Sequence, residues 1–363
     1  MVAAALTFVL SLVVIPVNSN AQQAAPPQDP AWIALRDGDH EKAARLFRRA
    51  IAARPSDPLP HLGAGIAAHR LGDEAQAEIS LKRALTLEPR LTPASALLGQ
   101  IVYAGGDLDG AIAIYERALK AAPAELELKE QLERWRKESR LHAGFEQGGD
   151  GRFSLLFEGP EERRLAERVG RVLETAYWDI GRRLNAYPNR TIPVILYTQE
   201  QFSDITRSPD WAVGTYDGRI RLAVRDALQN PAALDRVVVH ELAHAIVHYL
   251  APRGIPTWLH EGLAVNFEPG EKRWIEETLG ASEGLVPLAS LEHGFTGLSD
   301  QAATVAYAES AAATRVIMKR LGPNLSVFLQ SLESVDSVDS ALVSFGFTTA
   351  DLERSIRTQT PGR

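Results

Sequence analysis

The run His240-Glu241-Leu242-Ala243-His244 sets two imidazoles four residues apart, with a carboxylate beside the first. On a helix, residues four apart stand one above the other on the same face. Side chains placed this way can share one zinc ion, and the carboxylate between them is left to act as a base on water. A second segment, Trp258-Leu259-His260-Glu261-Gly262-Leu263-Ala264, offers Glu261 as a third ligand 17 residues after His244. Two imidazoles and one carboxylate leave a fourth zinc position for water, whose pKa zinc lowers to about 7. Glu241 would take the proton, so it must face the water and not serve as a ligand.

Helices must position these groups. Asn230 is a good N-cap and Pro231 a good first helical residue, so a helix is expected from there to about Leu250. Leu234, Val237, Val238 and Leu242 would bury much of its surface. The stretch 251–256, with Pro252, Gly254 and Pro256, breaks the chain, and a second helix is expected over 257–267. Upstream, residues 153–157 and 191–197 read as strands and 161–184 as a helix. Residues 218–224 alternate Ile220, Leu222 and Val224 with Arg219, Arg221 and Ala223. That pattern predicts a half-buried strand, either at a sheet edge where it could pair with an extended substrate or as ordinary sheet. Beyond Pro231 the chain reads as mostly helical.

The two motifs together resemble the gluzincin metallopeptidases, particularly the peptidase MA-like group, over roughly residues 190–350. The likeness includes the strand region 211–220, Tyr307-Ala-Glu-Ser, and Leu321-Gly-Pro. It implies an α+β zinc peptidase domain holding one Zn2+ through His240, His244 and Glu261, with Glu241 as general base. It also implies that Tyr307 donates a hydrogen bond to the developing oxyanion. Many gluzincins carry an acid four positions after the ligand glutamate, where it steadies a zinc histidine. Here that position is Val265, so another residue must do this work. His248 continues the face of His240 and His244 and is expected to be structural. His260 is expected to point elsewhere on its helix than Glu261. The metzincin pattern is absent, with Val247 and Leu250 where Gly and His would stand.

The N-terminal part repeats itself. Gly38-Asp39, Gly72-Asp73 and Gly106-Asp107 recur every 34 residues. The same step links Ala43, Ala77 and Ala111, then Phe47, Leu81 and Tyr115, then Ala50, Ala84 and Ala118, then Pro55, Pro89 and Pro123. This period resembles the tetratricopeptide repeat. The Gly-Asp pair would turn the chain between two helices, the alanines allow close approach, and the proline ends each second helix. Gly65 and Gly99 match the family too, whereas the first copy departs there, at Trp32, and reads as a capping unit. Residues 124–140 read as a closing helix. The expected fold is multidomain: an all-α tetratricopeptide-repeat solenoid (31–141) followed by an α+β gluzincin-like peptidase domain (153–358). A glycine-rich hinge (142–152) is expected between them.

Composition narrows the function. With no cysteine, disulfides and thiol chemistry are excluded. A net charge of −7 and the lack of a basic stripe argue against a nucleic-acid partner. Residues 2–17 are almost wholly apolar and lead to Asn18-Ser19-Asn20-Ala21. They read as a signal peptide (1–21) cleaved near Ala21, followed by a linker (22–30). The expected location is periplasmic or secreted, with a membrane association only if that segment stays uncleaved. The expected function is an exported zinc metallopeptidase whose repeats recruit a peptide or protein substrate or a partner protein. The competing reading is a repeat scaffold with an inactive or structural peptidase-like domain. Val265 favours it, and the intact Glu241 counts against it.

Overall fold

Each Gly-Asp pair of the repeat closes one helix and opens the next. Gly38, Gly72 and Gly106 have φ of +83°, +74° and +95°, a left-handed turn that costs glycine nothing. The following Asp39, Asp73 and Asp107 cap the next helices by accepting from the amides of Lys42, Gln76 and Gly110. The result is a run of seven helices: α1 (Pro30–Arg36), α2 (His40–Ala53), α3 (Pro58–Arg70), α4 (Glu74–Leu87), α5 (Thr92–Ala104), α6 (Leu108–Ala121) and α7 (Leu126–His142). Ala43, Ala77 and Ala111 are fully buried between them. The large residues of the repeat fill the space that glycine leaves on the facing helix. A Cβ at Gly65 would lie 2.7 Å from Leu81 Cγ, and the rings of Phe47 and Tyr115 occupy the same kind of gap at Gly63 and Gly99. Helix α7 closes the array with Leu128, Leu132 and Trp135, the last stacked on Tyr103 at 4.9 Å.

The computed structural model describes residues 29–359, apart from 161, 209–211, 225–229, 283, 296 and 336. The expected signal peptide 1–21 and linker residues 22–28 lie outside the described residues, as does Trp211. The linker does not extend to 30: Asp29 caps α1 and Pro30 is its first residue. The chain divides into two units between Gly144 and Phe145. The stretch 142–152, expected to be a hinge, is structured. His142 ends α7, and β1 (Glu146–Gly149) pairs antiparallel with β2 (Phe153–Phe157). Gly149 and Gly151, at φ +122° and +90°, belong to the hairpin turn. A tight hairpin demands the same left-handed backbone as a flexible joint tolerates, so the glycines alone do not tell the two apart.

From β2 the chain crosses through α8 (Arg163–Leu184) to β3 (Ile192–Tyr197), which lies parallel to β2. After α9 (Gln199–Thr206), β4 (Gly214–Tyr216) and β5 (Ile220–Ala223) form an antiparallel pair, with β5 parallel to β3. The spatial order is β1-β2-β3-β5-β4. Thus β5 is an interior strand and β4 the edge, so 218–224 belongs to ordinary sheet. All four β5 residues are buried, where half were expected to be. Arg221 is 1% exposed, and it is satisfied by donating to Asp217 Oδ2 at 3.0 Å and to the Tyr197 hydroxyl at 2.8 Å. A paired guanidinium can be buried where an unpaired one cannot.

The remaining helices are α10 (Pro231–Leu250), α11 (Thr257–Phe267), α12 (Arg273–Ala281), α13 (Asp300–Leu321), α14 (Leu325–Ser331), α15 (Val338–Ser344) and α16 (Thr349–Gln359). Phe153, Leu155, Val194, Leu196, Ile220 and Leu222 of the sheet share one core with Val169, Leu173 and Ile180 of α8 and Val238 and Leu242 of α10. Helix α11 crosses α13 so closely that a side chain at Gly262 would collide with the Ser310 carbonyl and the Thr314 hydroxyl. No described helix is long and apolar enough to cross a membrane.

Candidate metal centre

Asn230 accepts from the Ala233 amide and Pro231 follows, so α10 starts where local chemistry favours it. The helix runs unbroken past His240, Glu241 and His244, all buried. Ala251–Pro256 reverses the chain, and α11 brings back Glu261, also fully buried. His240 Nε2 lies 3.3 Å from Glu261 Oε2, and His244 Nε2 lies 3.7 Å from Glu261 Oε1. One atom from each of the three residues falls within 4.8 Å of the others. Tetrahedral zinc with bonds of 2.0–2.2 Å sets neighbouring ligand atoms about 3.3–3.6 Å apart. The two imidazole–carboxylate distances are near that spacing, and the three side chains lie close enough together to share one ion.

The polar atoms of this cluster argue in the same direction. His244 Nε2, Glu261 Oε1 and Glu241 Oε2 are buried and make no hydrogen bond among the described residues. Buried polar groups are rarely left so, and a cluster of them on one side of one space suits a cation. Burial pushes the Glu241 carboxyl up to about 8, opposed by His240 and reinforced by Glu261. Burial also raises Glu261, with His240 pulling the other way. Burial works against charge on His240, but the Glu261 and Glu268 carboxylates outweigh it and hold the ring up at about 10. His244 falls well below the ordinary imidazole value through burial and the nearby His260 and His240. The donor set of two imidazoles and a carboxylate fits zinc.

Two further side chains orient the imidazoles. His240 Nδ1 donates to Glu268 Oε1 at 2.7 Å, which turns Nε2 toward Glu261. Glu268 caps the C-terminus of α11, seven positions after Glu261, and does what Val265 cannot. Seven residues are close to two full turns, so Glu268 returns nearly to the face of Glu261. His244 Nδ1 lies 2.6 Å from His260 Nδ1, with the rings stacked at 4.6 Å. A proton on His244 Nδ1 leaves its Nε2 as the ligand atom. His260 was expected to point elsewhere; it is buried and faces His244, and burial lowers it to about 3, with His248 and His240 adding to the effect. The sequence held a signal for Glu268 in its helical register, but none for His260 without the path of α10.

Tyr307 sits on α13, buried, with Phe295 edge-on to its ring at 4.8 Å. Burial, then the charges of Glu261 and Glu241, hold its phenol well above the ordinary value, so it stays protonated in the field of the same cluster. His248 lies outside the cluster, exposed, with its ring 5.9 Å from Tyr216. On the sheet side, Gly214 of β4 lies directly against Glu241.

Residues 186–361 match the Peptidase MA superfamily, and residues 30–96 and 93–125 match the tetratricopeptide repeat. Among solved structures, the chain is similar to the first tetratricopeptide domain of Spaghetti (RPAP3) bound to an HSP90 peptide, at 24% identity and a TM-score of 0.29. That match covers 30% of this chain and 89% of the other. No curated protein sequence matches. The protein thus joins N-terminal tetratricopeptide repeats to a domain of the Peptidase MA superfamily.

Proposed function

We propose that this is an exported zinc peptidase whose repeats recruit a protein substrate or partner. The observation that carries the reading is the meeting of two imidazole Nε2 atoms and the Glu261 carboxylate in a buried space, with Glu241 beside them. His240, His244 and Glu261 would hold one zinc ion. When bound, zinc acts as a Lewis acid that makes water more acidic and stabilises charge on a carbonyl oxygen. Glu241, buried beside the three ligands, would take a proton from water and pass it to the departing amine. Tyr307 stays protonated and is equipped to donate to the carbonyl oxygen as it gains charge. The edge strand β4 offers backbone groups to an extended peptide, the role 218–224 would have had at an edge.

Export rests on the apolar run 2–17 and the small residue at Ala21. Recruitment rests on the repeat array, an architecture that builds extended concave binding surfaces. The scaffold reading draws on Val265, and Glu268 weakens it by supplying a carboxylate to His240. The test is metal content together with hydrolysis of a casein-like substrate. One zinc per chain is expected, and Glu241→Gln should keep zinc and fold while losing about a hundredfold or more in rate. Equal hydrolysis by variant and wild type refutes the mechanism. Bound zinc with no hydrolysis by either favours the scaffold.

A further inference from the structure

Gly214 pairs with Leu222 in regular antiparallel register, and its backbone lies outside the left-handed region. Its conformation therefore does not demand glycine. Space does. A Cβ built there would lie 2.7 Å from Glu241 Oε1, 3.1 Å from Glu241 Cγ and 2.7 Å from Val237 Cγ1. Ordinary contacts between such atoms begin near 3.5 Å. The bare backbone of the edge strand is thus a wall against which the Glu241 side chain rests.

A glutamate has three side-chain torsions, and burial alone does not decide where its carboxylate points. Helix α10 is held in rotation by Val238 and Leu242 in the core, so the last torsions of Glu241 are settled by what lies opposite. We propose that Gly214 is a positioning residue for Glu241: the absence of a side chain at 214 fixes the carboxylate where it serves as base. The inference rests on the proposed role of Glu241 as that base. A methyl group at 214 would push Oε1 away by on the order of 1 Å if the strand holds its place. A misplacement of that size costs about a hundredfold in a reaction that depends on alignment.

The experiment is a double-mutant cycle on the zinc-loaded full chain, with Gly214→Ala, Glu241→Asp and the pair. Aspartate is one methylene shorter and withdraws Oε1, the nearer of the two Glu241 atoms, leaving only the looser approach of Cγ. Two readouts are taken, kcat and KM on a peptide, and the urea unfolding midpoint of the catalytic unit. For Gly214→Ala, kcat is expected to fall about ten- to a hundredfold, with KM within about twofold and zinc content unchanged. Its urea midpoint should fall, and the fall should largely disappear in the Glu241→Asp background. The unfolding readout needs no turnover. Coupled midpoints with an inactive wild type would keep the contact and sink the peptidase reading. Should Gly214→Ala fail to fold, Gly214→Ala with Val237→Ala leaves Glu241 as the obstacle and replaces it in the cycle. Additive midpoint losses overturn the proposal, as does an unchanged kcat in an active Gly214→Ala enzyme. Rescue by Val237→Ala but not by Glu241→Asp overturns it too, since Gly214 would then serve core packing alone.

Discussion

Replacing Glu268 should weaken zinc binding in a way that depends on pH. Its carboxylate accepts from fully buried His240 at 2.7 Å. Hydrogen bonds to a charged group of this kind are worth about 1.5–3 kcal/mol. Only the part that differs between metal-bound and metal-free protein appears in the affinity. In the metal-free protein, Glu261 and Glu268 hold His240 at about 10 against the effect of burial, so zinc must displace a proton at neutral pH. Losing Glu268 therefore weakens the ligand and also weakens the competing proton. The first effect should win, since partners of metal-bound histidines are typically worth 10- to 100-fold in affinity, or about 1.4–2.7 kcal/mol. The sign of the pH trend follows. Proton competition penalises the wild type most at low pH, so the deficit of Glu268→Gln should grow from pH 6.5 to pH 9. Competition with a fluorescent zinc chelator across that range reads it directly. Wild-type affinity in both Glu268→Gln and Glu268→Ala, or a deficit that shrinks as pH rises, would refute the reasoning.

Further outcomes can be checked in the same preparations. Zinc added to chelator-stripped protein at a hundredfold excess over its Kd should stabilise the catalytic unit by about 2.7 kcal/mol. The melting of the repeat unit should not move, and equal shifts in both would contradict a site confined to residues 240–268. Buried Glu309, which accepts from the Val286 amide, is raised by burial to about 7. For a raised acid, stability is present below its unfolded value near 4.5 and is lost as pH rises through about 7. Glu309→Gln should therefore match wild type at pH 4.5 and exceed it at pH 8 by on the order of 2–3 kcal/mol, and equal urea midpoints at pH 8 would speak against it. Arg221→Met strands Asp217 and the Tyr197 hydroxyl, and should cost about 3 kcal/mol in urea unfolding; a loss below about 1 kcal/mol would show that the pair is solvated.

The elements that carry the site were legible in the sequence where their signals are local. Asn230, Pro231, Pro252 and Pro256 mark where α10 and α11 begin and where the chain turns between them, and the structure follows them. The repeats were legible because a glycine on one helix and a large residue on the next recur together, as Gly65 with Leu81 and Gly99 with Tyr115. What escaped depends on partners distant in sequence. Arg221 read as solvent-facing because one of its acceptors, the Tyr197 hydroxyl, comes from another strand, although its charge is met by nearby Asp217. His260 read as turned away because adjacent residues on a helix diverge by about 100°, yet the space on that side holds His244. Glu268 was missed because the family spacing drew attention to position 265 and not to the same face one turn later.

Helix α11 and its cap bear Glu261 together with His260 and Glu268, which aim the two histidines of α10. These three side chains ride on one rigid rod, so a one-residue slip would rotate all of them out of place at once. An insertion or deletion at the start of this helix should therefore disturb 260, 261 and 268 together, whereas Asp39, Asp73 and Asp107 each cap a separate helix and fail one at a time.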